Sequence, residues 1–357
     1  MPLLRFSAWV FATCLALYGT LLGASYVAFP DRGEREIDTQ QAKDTLYATE
    51  PKYLVFNLRA LDHPGARVLL LGGSNVREGL RSTSLRPLIG DVEIDNLAIG
   101  ACDVREIAQI VDAVYAHVPR QSWRDLTFVV GIWYGLFRNE ARSWPNGVTD
   151  IDKELLRYGL YYRDGNAMRR RMPASWEPAL QQALRPLLWI SRIYDIYVSA
   201  STDRLRIKIL RLVGEAPLDV HVEDRDRFTL TPAERAASLE YWRQYMGPAD
   251  AWDGRAFGVL GDLVRAITGR GSRLVLLDLP LPPWHRAGVP YDEEYRRLEQ
   301  PFLRDVAALP GVSYLSLRDD FGDDDFYDSA HPRPRVVGRW ADRAALAIAP
   351  AVHSSER

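Results

Sequence analysis

Cysteine is nearly absent from this chain of 357 residues, since only Cys14 and Cys102 occur. Cys14 lies inside an apolar N-terminal run, so we expect no bridge between the two and a fold held by its hydrophobic core. The six histidines are scattered, and no CxxC or HxxxH spacing is present. The sequence therefore predicts no metal site, and nothing in it implies an organic cofactor.

An excess of charge of either sign is also lacking. The formal net charge is −2, and no nucleic-acid-binding motif occurs, so nucleic acid is not an expected partner. Hydrophobic residues make up 47% of the chain and charged residues 26%, which are proportions typical of a folded protein. The length suits one large α/β domain with insertions, or two modest domains.

Charged side chains are missing from residues 6–29, and Arg5 stands just before them. The run is about long enough, at roughly 20 residues, to cross a bilayer as a helix. Arg5 predicts that the N-terminus stays in the cytoplasm and that the chain after residue 30 is exported. The alternatives are a cleaved signal peptide, whose apolar region is usually only about 7–15 residues, and a buried first helix of a cytoplasmic protein. We predict a single-pass protein of the bacterial inner membrane with its globular domain in the periplasm or outside the cell.

Strand-like and helix-like segments alternate along most of the remaining chain. The pattern predicts strands at residues 67–71, 92–97, 126–130, 273–279 and 312–317, and helices at 80–88, 104–118, 256–267, 295–309 and 336–348. This order predicts a three-layer α/β/α fold with a five-stranded parallel sheet. In such folds ligands bind at the carboxyl ends of the strands.

The predicted domain organisation has four parts. Residues 1–30 form the membrane anchor, 31–65 a spacer, 66–350 the α/β domain and 351–357 a loose tail. The segment 132–250 interrupts the α/β pattern and reads as a helical insertion, with helices at 150–162, 176–197 and 203–213. We interpret this insertion as a helical subdomain, a lid over the strand ends or a docking surface.

The segment after the first predicted strand suggests a nucleophile. Gly72 and Gly73 permit a tight turn after four apolar residues, and Ser74 then begins a helix. Free N–H groups at a helix N-terminus favour developing negative charge, which suits a nucleophile whose reaction forms an oxyanion. A plain β-to-α turn with serine as the N-cap is the alternative interpretation.

A second motif, Asp328 followed three residues later by His331, precedes the last predicted helix. A carboxylate at this spacing can hold one imidazole nitrogen and leave the other free as a general base. With Ser74 at the same sheet edge, the three side chains would provide a nucleophile, a base and an orienting acid.

The two motifs together resemble those of the SGNH (GDSL-like) hydrolases and acyltransferases. The resemblance covers residues 67–348, with the insertion outside it, and it implies a flavodoxin-like sheet. It further implies that Ser74 is the nucleophile, His331 the base and Asp328 its partner, with the N–H groups of Ser74 and Gly100 donating to the oxyanion. Three small residues also match the pattern of this family: Gly79, Gly338 and Ala341.

Two positions depart from the family pattern. Trp133 stands where the family usually has an asparagine that supplies a third oxyanion donor, and Gly73 replaces a common aspartate. Loss of one such donor typically costs about 100- to 1000-fold in rate. Either the Trp133 N–H or another donor (Asn139 is the nearest amide) substitutes, or the enzyme is slow, or the protein is not an enzyme.

The anchor makes the chain resemble the members of this family that modify exported polysaccharides and wall polymers. We therefore predict a serine-dependent O-acetyltransferase or deacetylase that acts on a cell-envelope polysaccharide, with a membrane acyltransferase or export complex as partner. A carboxylesterase or lysophospholipase, or a non-catalytic accessory protein of such a complex, are the alternatives. Four further residues are candidates for substrate binding, the aromatic ones by stacking on sugar rings: Asn75, Trp133, Trp284 and His285.

Overall fold

The structure is a computed structural model that describes residues 2–28, 61, 65–100, 102–138, 161–164, 167–170, 225–252, 254–306 and 308–353. Its first helix, α1 (Pro2–Ala28), is mostly apolar and contains one charged residue, Arg5. Within α1, Leu4–Ala24 is long and apolar enough to cross a membrane, and none of this stretch is buried. An exposed apolar helix of this length is consistent with a signal anchor or a signal peptide.

The domain is built on a parallel sheet. The strands in chain order are β1 (Arg67–Leu71), β2 (Glu93–Asn96), β3 (Leu126–Ile132), β4 (Tyr161–Asp164), β5 (Ala167–Arg170), β6 (Arg273–Asp278) and β7 (Val312–Ser316). Five of them form one parallel sheet in the order β2-β1-β3-β6-β7. The predicted five-stranded parallel sheet is confirmed, and its strand order is the flavodoxin-like one.

Helices cover both faces of this sheet. They are α2 (Ser74–Gly79), α3 (Ser82–Ile89), α4 (Val104–His117), α5 (Pro232–Met246), α6 (Arg255–Gly269), α7 (Pro283–Gly288), α8 (Tyr291–Val306) and α9 (Val337–His353). Helix α9 packs on α2 and α3, whereas α6 packs on α4 and α8. The predicted three-layer α/β/α arrangement is therefore confirmed.

Local sequence explains the main elements. All five residues of β1 are buried, as expected for a strand covered by helices on both faces. Helix α4 begins with a capping box, in which the Asp103 side chain accepts the Glu106 N–H and the Glu106 side chain accepts the Asp103 N–H. This box fixes the start of α4 at the position that the sequence predicted.

Several boundaries differ from those predicted. The helix predicted at 80–88 corresponds to α3 (Ser82–Ile89), which contains Pro87, and the separate helix α2 (Ser74–Gly79) precedes it. Strand β3 includes Gly131 instead of ending before it, because Gly131 pairs with Leu277 of β6. A Cβ on Gly131 would overlap the Val76 side chain of α2, so a glycine inside the strand permits this close packing.

Two predicted loops are helical. Three prolines within residues 280–285 predict a stiff loop, but Pro283 opens α7 at a position that proline favours, so that His285 is helical. Helix α9 continues through Pro350 to His353 rather than ending in a loose tail. Ala351 and Val352 are buried against the core, which holds this last turn in place.

The insertion is described only in part. Strands β4 and β5 form an antiparallel pair, so Tyr161 and Tyr162, predicted to end a helix, are strand residues. Helix α5 follows a capping box between Thr231 and Glu234. The rest of the helix predicted at 150–162 and the helices predicted at 176–197 and 203–213 lie outside the described residues, as does most of the predicted spacer.

Candidate active site

The Ser74 turn joins β1 to α2 at the carboxyl edge of the sheet. Gly72 has a φ of +146°, which only glycine adopts readily, and a Cβ there would overlap the Val76 side chain. Gly73 follows in extended conformation as the N-cap of α2, and Ser74 is the first helical residue. Ser74 is partly exposed, whereas its neighbours on both sides are buried. The turn therefore presents one hydroxyl from an otherwise buried segment.

The loop between β7 and α9 carries Asp328 and His331. The Asp328 Oδ1 atom accepts the backbone N–H groups of Ala330 and His331, both at 2.8 Å. A Phe326–Pro332 bridge closes the same loop. One carboxylate oxygen thus shapes the loop, and the second remains free to bind the imidazole.

The structure brings Ser74, His331 and Asp328 together. The Nδ1 atom of His331 lies 2.7 Å from Asp328 Oδ2, and Nε2 lies 2.6 Å from Ser74 Oγ. An ionised carboxylate only accepts hydrogen bonds, so Nδ1 carries the proton and Nε2 accepts the Ser74 O–H. This is the geometry in which an imidazole can remove the hydroxyl proton during nucleophilic attack.

The pKa values of Asp328 and His331 are shifted in opposite directions. Burial alone would raise the pKa of Asp328, but the charge and hydrogen bond of His331, with two backbone N–H groups, hold it below its usual 3.8. Burial alone would lower the pKa of His331, but Asp328 and then Glu78 raise it above its usual 6.5, against an opposing effect of Arg225. The pKa shifts therefore favour an ionised Asp328 next to a His331 whose pKa lies above that of a free imidazole.

Three residues that sequence analysis did not identify surround the imidazole. Tyr327 stacks on His331 with ring centroids 5.7 Å apart and donates its hydroxyl to Glu78 Oε2 at 2.8 Å. Arg225 binds the same Glu78 oxygen at 2.6 Å and lies over the Tyr327 ring. Tyr327 adjoins Asp328 and Glu78 lies one helical turn after Ser74, but no local signal indicates Arg225, 147 residues further on.

The end of the insertion is fastened to the loop that carries His331. The buried Arg333 donates through Nη1 to the carbonyl oxygens of Arg225 and Asp226, at 2.9 and 2.8 Å. These bonds tie residues 225–226 to the segment that begins α9. The described end of the insertion is thus part of the wall of the site.

The predicted backbone donors lie at the same edge. The Ile99 N–H donates to the Gly72 carbonyl at 3.0 Å, which places the turn that contains Gly100 beside the Ser74 turn. Within the described parts of the chain, the N–H groups of Ser74 and Gly100 donate to no other residue. Both remain available to an oxygen atom of a ligand, and their role as oxyanion donors stays a prediction.

Trp133 and Asn75 are buried beside the Ser74 turn. Their side chains are 7% and 1% exposed, and within the described part of the chain Trp133 Nε1 and Asn75 Nδ2 have no hydrogen-bond partner. The Trp133 ring packs edge-on against Tyr134 and Trp242. A ring buried in this way has no free face for a sugar, so the predicted stacking role of Trp133 does not fit. Asn139, the nearest amide in sequence, lies outside the described residues.

His285 and Trp284, the other two candidates, lie on α7. His285 is fully buried and hydrogen-bonds through Nε2 to the Tyr134 hydroxyl. Burial lowers the pKa of His285 to about 3, although Asp328 and the Ser329 backbone oppose this effect. Such a residue does not line an open acceptor site. Trp284 is partly exposed with Arg235 over its ring, and its contact with a substrate stays a prediction.

The described residues contain no group of three or more His, Cys, Asp or Glu side chains that could hold a metal ion. The polar groups that converge on Ser74 are a base, its carboxylate partner and N–H donors. This donor set is suited to an oxyanion rather than to a cation.

Comparison with known proteins gives structural similarity only. No family model matches the chain, and no curated protein matches it. Among solved structures 18 chains match. One is the crystal structure of a protein from Bacteroides fragilis NCTC 9343 that is provisionally described as an acylhydrolase. It is 12% identical with a TM-score of 0.39, and the match covers 87% of this chain and 99% of the other. A likeness this distant carries no argument about activity.

Proposed function

We propose that this protein is a serine-dependent acyl-ester enzyme in which Ser74 carries the acyl group. The observation that supports this most is the continuous hydrogen-bonded array from Ser74 Oγ through His331 to Asp328, with distances of 2.6 and 2.7 Å. Three side chains from the two ends of the α/β domain meet at the edge where α/β proteins bind ligands. A serine that only capped α2 would not need this partner.

The proposed reaction has two steps. In the first, His331 Nε2 takes the Ser74 proton while Oγ forms a bond to the acyl carbon, and the carbonyl π electrons move to the oxygen. When that oxyanion collapses, the bond to the leaving alkoxide breaks and the alkoxide takes the proton from His331. In the second step, His331 takes a proton from water or a sugar hydroxyl, whose oxygen attacks the acyl carbon. When this second oxyanion collapses, the bond from the acyl carbon to Ser74 Oγ breaks and His331 returns the proton to Oγ.

We propose an acetyl group as the acyl unit and an envelope polysaccharide as the donor or acceptor. The support for this substrate class is the apolar helix α1, which would hold the domain at a membrane surface, together with the resemblance of the sequence motifs to anchored members of the SGNH family. A polysaccharide substrate would meet the enzyme outside the cytoplasm. The balance between hydrolysis and transfer then depends on how well the acceptor hydroxyl excludes water.

Covalent labelling tests the nucleophile. The full-length chain in detergent is treated with a fluorophosphonate, and the adduct is located by mass spectrometry beside Ser74→Ala and His331→Ala. We expect the wild-type adduct on Ser74, none at this position in Ser74→Ala, and labelling slowed by orders of magnitude in His331→Ala. Wild-type protein that is folded by circular dichroism yet stays unlabelled would refute the catalytic proposal and favour an accessory role.

A second experiment tests the acceptor. Release of p-nitrophenol from p-nitrophenyl acetate is measured with and without oligosaccharides, and the sugars are examined for added acetyl groups. We expect an acceptor sugar to increase turnover and to carry the acetyl group. Turnover without acetylated sugar, together with activity on longer acyl chains, would favour the carboxylesterase or lysophospholipase alternative.

A further inference from the structure

The indole N–H of Trp133 is a buried donor without an acceptor. Among the residues that the structure describes, its nitrogen has no hydrogen-bond partner, and the side chain is only 7% exposed. Leaving such a group unpaired destabilises the folded state, so buried polar groups in folded proteins are nearly always bonded. What distinguishes Trp133 Nε1 from an unpaired buried donor elsewhere in the fold, such as Trp340 Nε1, is that it lies beside Gly73, the residue that precedes Ser74.

The absence of a side chain at position 73 leaves room for this nitrogen. An ideal Cβ built on Gly73 would stand 3.8 Å from Trp133 Nε1 and 3.2 Å from Asn75 Oδ1. The indole nitrogen therefore lies against the residue that immediately precedes Ser74. We expect an acceptor side chain introduced at position 73 to compete for this N–H.

The surroundings of Trp133 hold its ring in one position. Tyr134 and Trp242 contact it edge-on with ring centroids 5.1 and 5.0 Å away. Gly135 lies so close that an added Cβ would overlap the indole ring. Trp242 in turn donates to the Ser329 hydroxyl, next to Asp328. A donor held in this way needs little reorganisation during a reaction, which is the condition for effective oxyanion stabilisation.

We propose that the Trp133 indole N–H donates a hydrogen bond to the oxyanion formed on attack by Ser74, in the role that the family gives to an asparagine amide. The inference rests on the proposed function. No proton is transferred, since an indole N–H only donates, and the hydrogen bond strengthens as the carbonyl oxygen gains charge. Gly73 and Trp133 act together here, because the missing side chain at one position leaves the N–H free at the other.

The main test is Trp133→Phe in the full-length protein, with p-nitrophenyl acetate as the substrate and the rate constant of fluorophosphonate labelling as a second measurement. We expect kcat and the labelling rate constant to fall about 100- to 1000-fold, with KM little changed. The matched control is Trp340→Phe. Trp340 is also fully buried with an unpaired Nε1, but it packs on Gly79 at the far end of α2, so we expect kcat close to that of the wild type.

These outcomes separate the two proposals. Wild-type protein without label on Ser74 would refute the proposed function. Labelled wild type, with kcat in Trp133→Phe no lower than in Trp340→Phe, would refute only the role of Trp133. The thermal unfolding of both variants is also measured. We expect similar losses of stability, because each substitution removes the same part of a buried indole ring.

A second variant leaves the tryptophan unchanged and serves if Trp133→Phe does not fold. Gly73→Asp places a carboxylate within reach of Trp133 Nε1, and the backbone at Gly73, with φ of −77°, accepts any residue. We expect a loss as large as that of Trp133→Phe, and only a small loss in Gly73→Ala, which adds no acceptor. In the double variant with Gly73→Asp and Trp133→Phe, we expect the loss of kcat to be much smaller than the product of the two single losses, because both changes remove the same hydrogen bond. Equal kcat in Gly73→Asp and Gly73→Ala, or a double-variant loss equal to that product, would overturn the proposal.

Discussion

Two histidines at the same edge of the sheet have opposite chemical properties. His331 follows β7 and stacks on Tyr327, whereas His285 follows β6 and bonds to Tyr134. Asp328 acts electrostatically on both of them. Only His331, however, hydrogen-bonds this carboxylate and remains partly exposed.

This difference in partner and solvation moves the two pKa values in opposite directions. Burial dominates at His285 and lowers its pKa to about 3, so it is neutral at every ordinary pH. At His331 the nearby carboxylates outweigh burial and raise the pKa above 6.5. Position at the sheet edge therefore does not make a histidine a base; a directly bonded carboxylate does.

The largest loss of activity should come from removing the negative charge of Asp328, because of the two histidines only His331 hydrogen-bonds this carboxylate. Asp328→Asn keeps the size of the side chain but no longer holds His331 in the tautomer that accepts the Ser74 proton. We expect kcat for p-nitrophenyl acetate to fall on the order of 10⁴-fold. Circular dichroism checks that the loop has kept its fold. A loss of less than tenfold in folded protein would contradict the assigned role of Asp328.

His285→Gln tests the other side of the comparison. Glutamine can still accept a hydrogen bond from the Tyr134 hydroxyl but cannot be protonated. The free energy of unfolding at pH 7 should therefore change by less than about 1–3 kcal/mol. The unfolded histidine binds a proton below pH 6.5, whereas native His285 does so only near 3. Wild-type stability therefore falls as the pH drops through this window, because the unfolded state binds more protons.

We expect His285→Gln to make this acid loss of stability shallower, measured as urea midpoints from about pH 7 to 4. The value of kcat should change far less than in Asp328→Asn, since His285 does not contact Ser74 or His331. An unchanged slope would show that His285 is protonated in the native state or that other groups dominate the window.

The smallest predicted effect is a shift in the pH profile caused by the buried pair Glu78 and Arg225. The base must be neutral, so kcat/KM should fall as the pH drops through the pKa of His331, above 6.5. Glu78→Gln removes a negative charge and should move this acid limb to lower pH. Arg225→Gln removes the opposing positive charge and should move it to higher pH.

Both of these variants break a buried ion pair, so both should lose stability, by about 3–5 kcal/mol. Opposite shifts of the acid limb therefore separate the electrostatic effect from simple destabilisation. Shifts in the same direction would contradict the assignment of His331 as the titrating base.

The sheet could be predicted from the sequence because its signals are local. Strands β1, β3 and β6 are mostly apolar runs of five to seven residues, and Asp103 predicts the start of α4 by a capping box within four residues. The boundaries that were wrong depend on contacts with other elements. Strand β3 extends through Gly131 because the side chains of α2 and of the segment after β6 fill the space above it.

The candidate site divides in the same way. Asp328 and His331 lie three residues apart, and Ser74 follows a recognisable glycine turn, so the amino-acid sequence by itself determined which three side chains meet and at which edge of the sheet. It did not determine the burial of Trp133 and His285, or the pairing of Glu78 with Arg225. These depend on residues more than 100 positions apart, which only the packed fold brings into contact. Because burial and long-range charge set pKa values and free donors, the tertiary structure decided which histidine can be a base and which N–H remains unpaired.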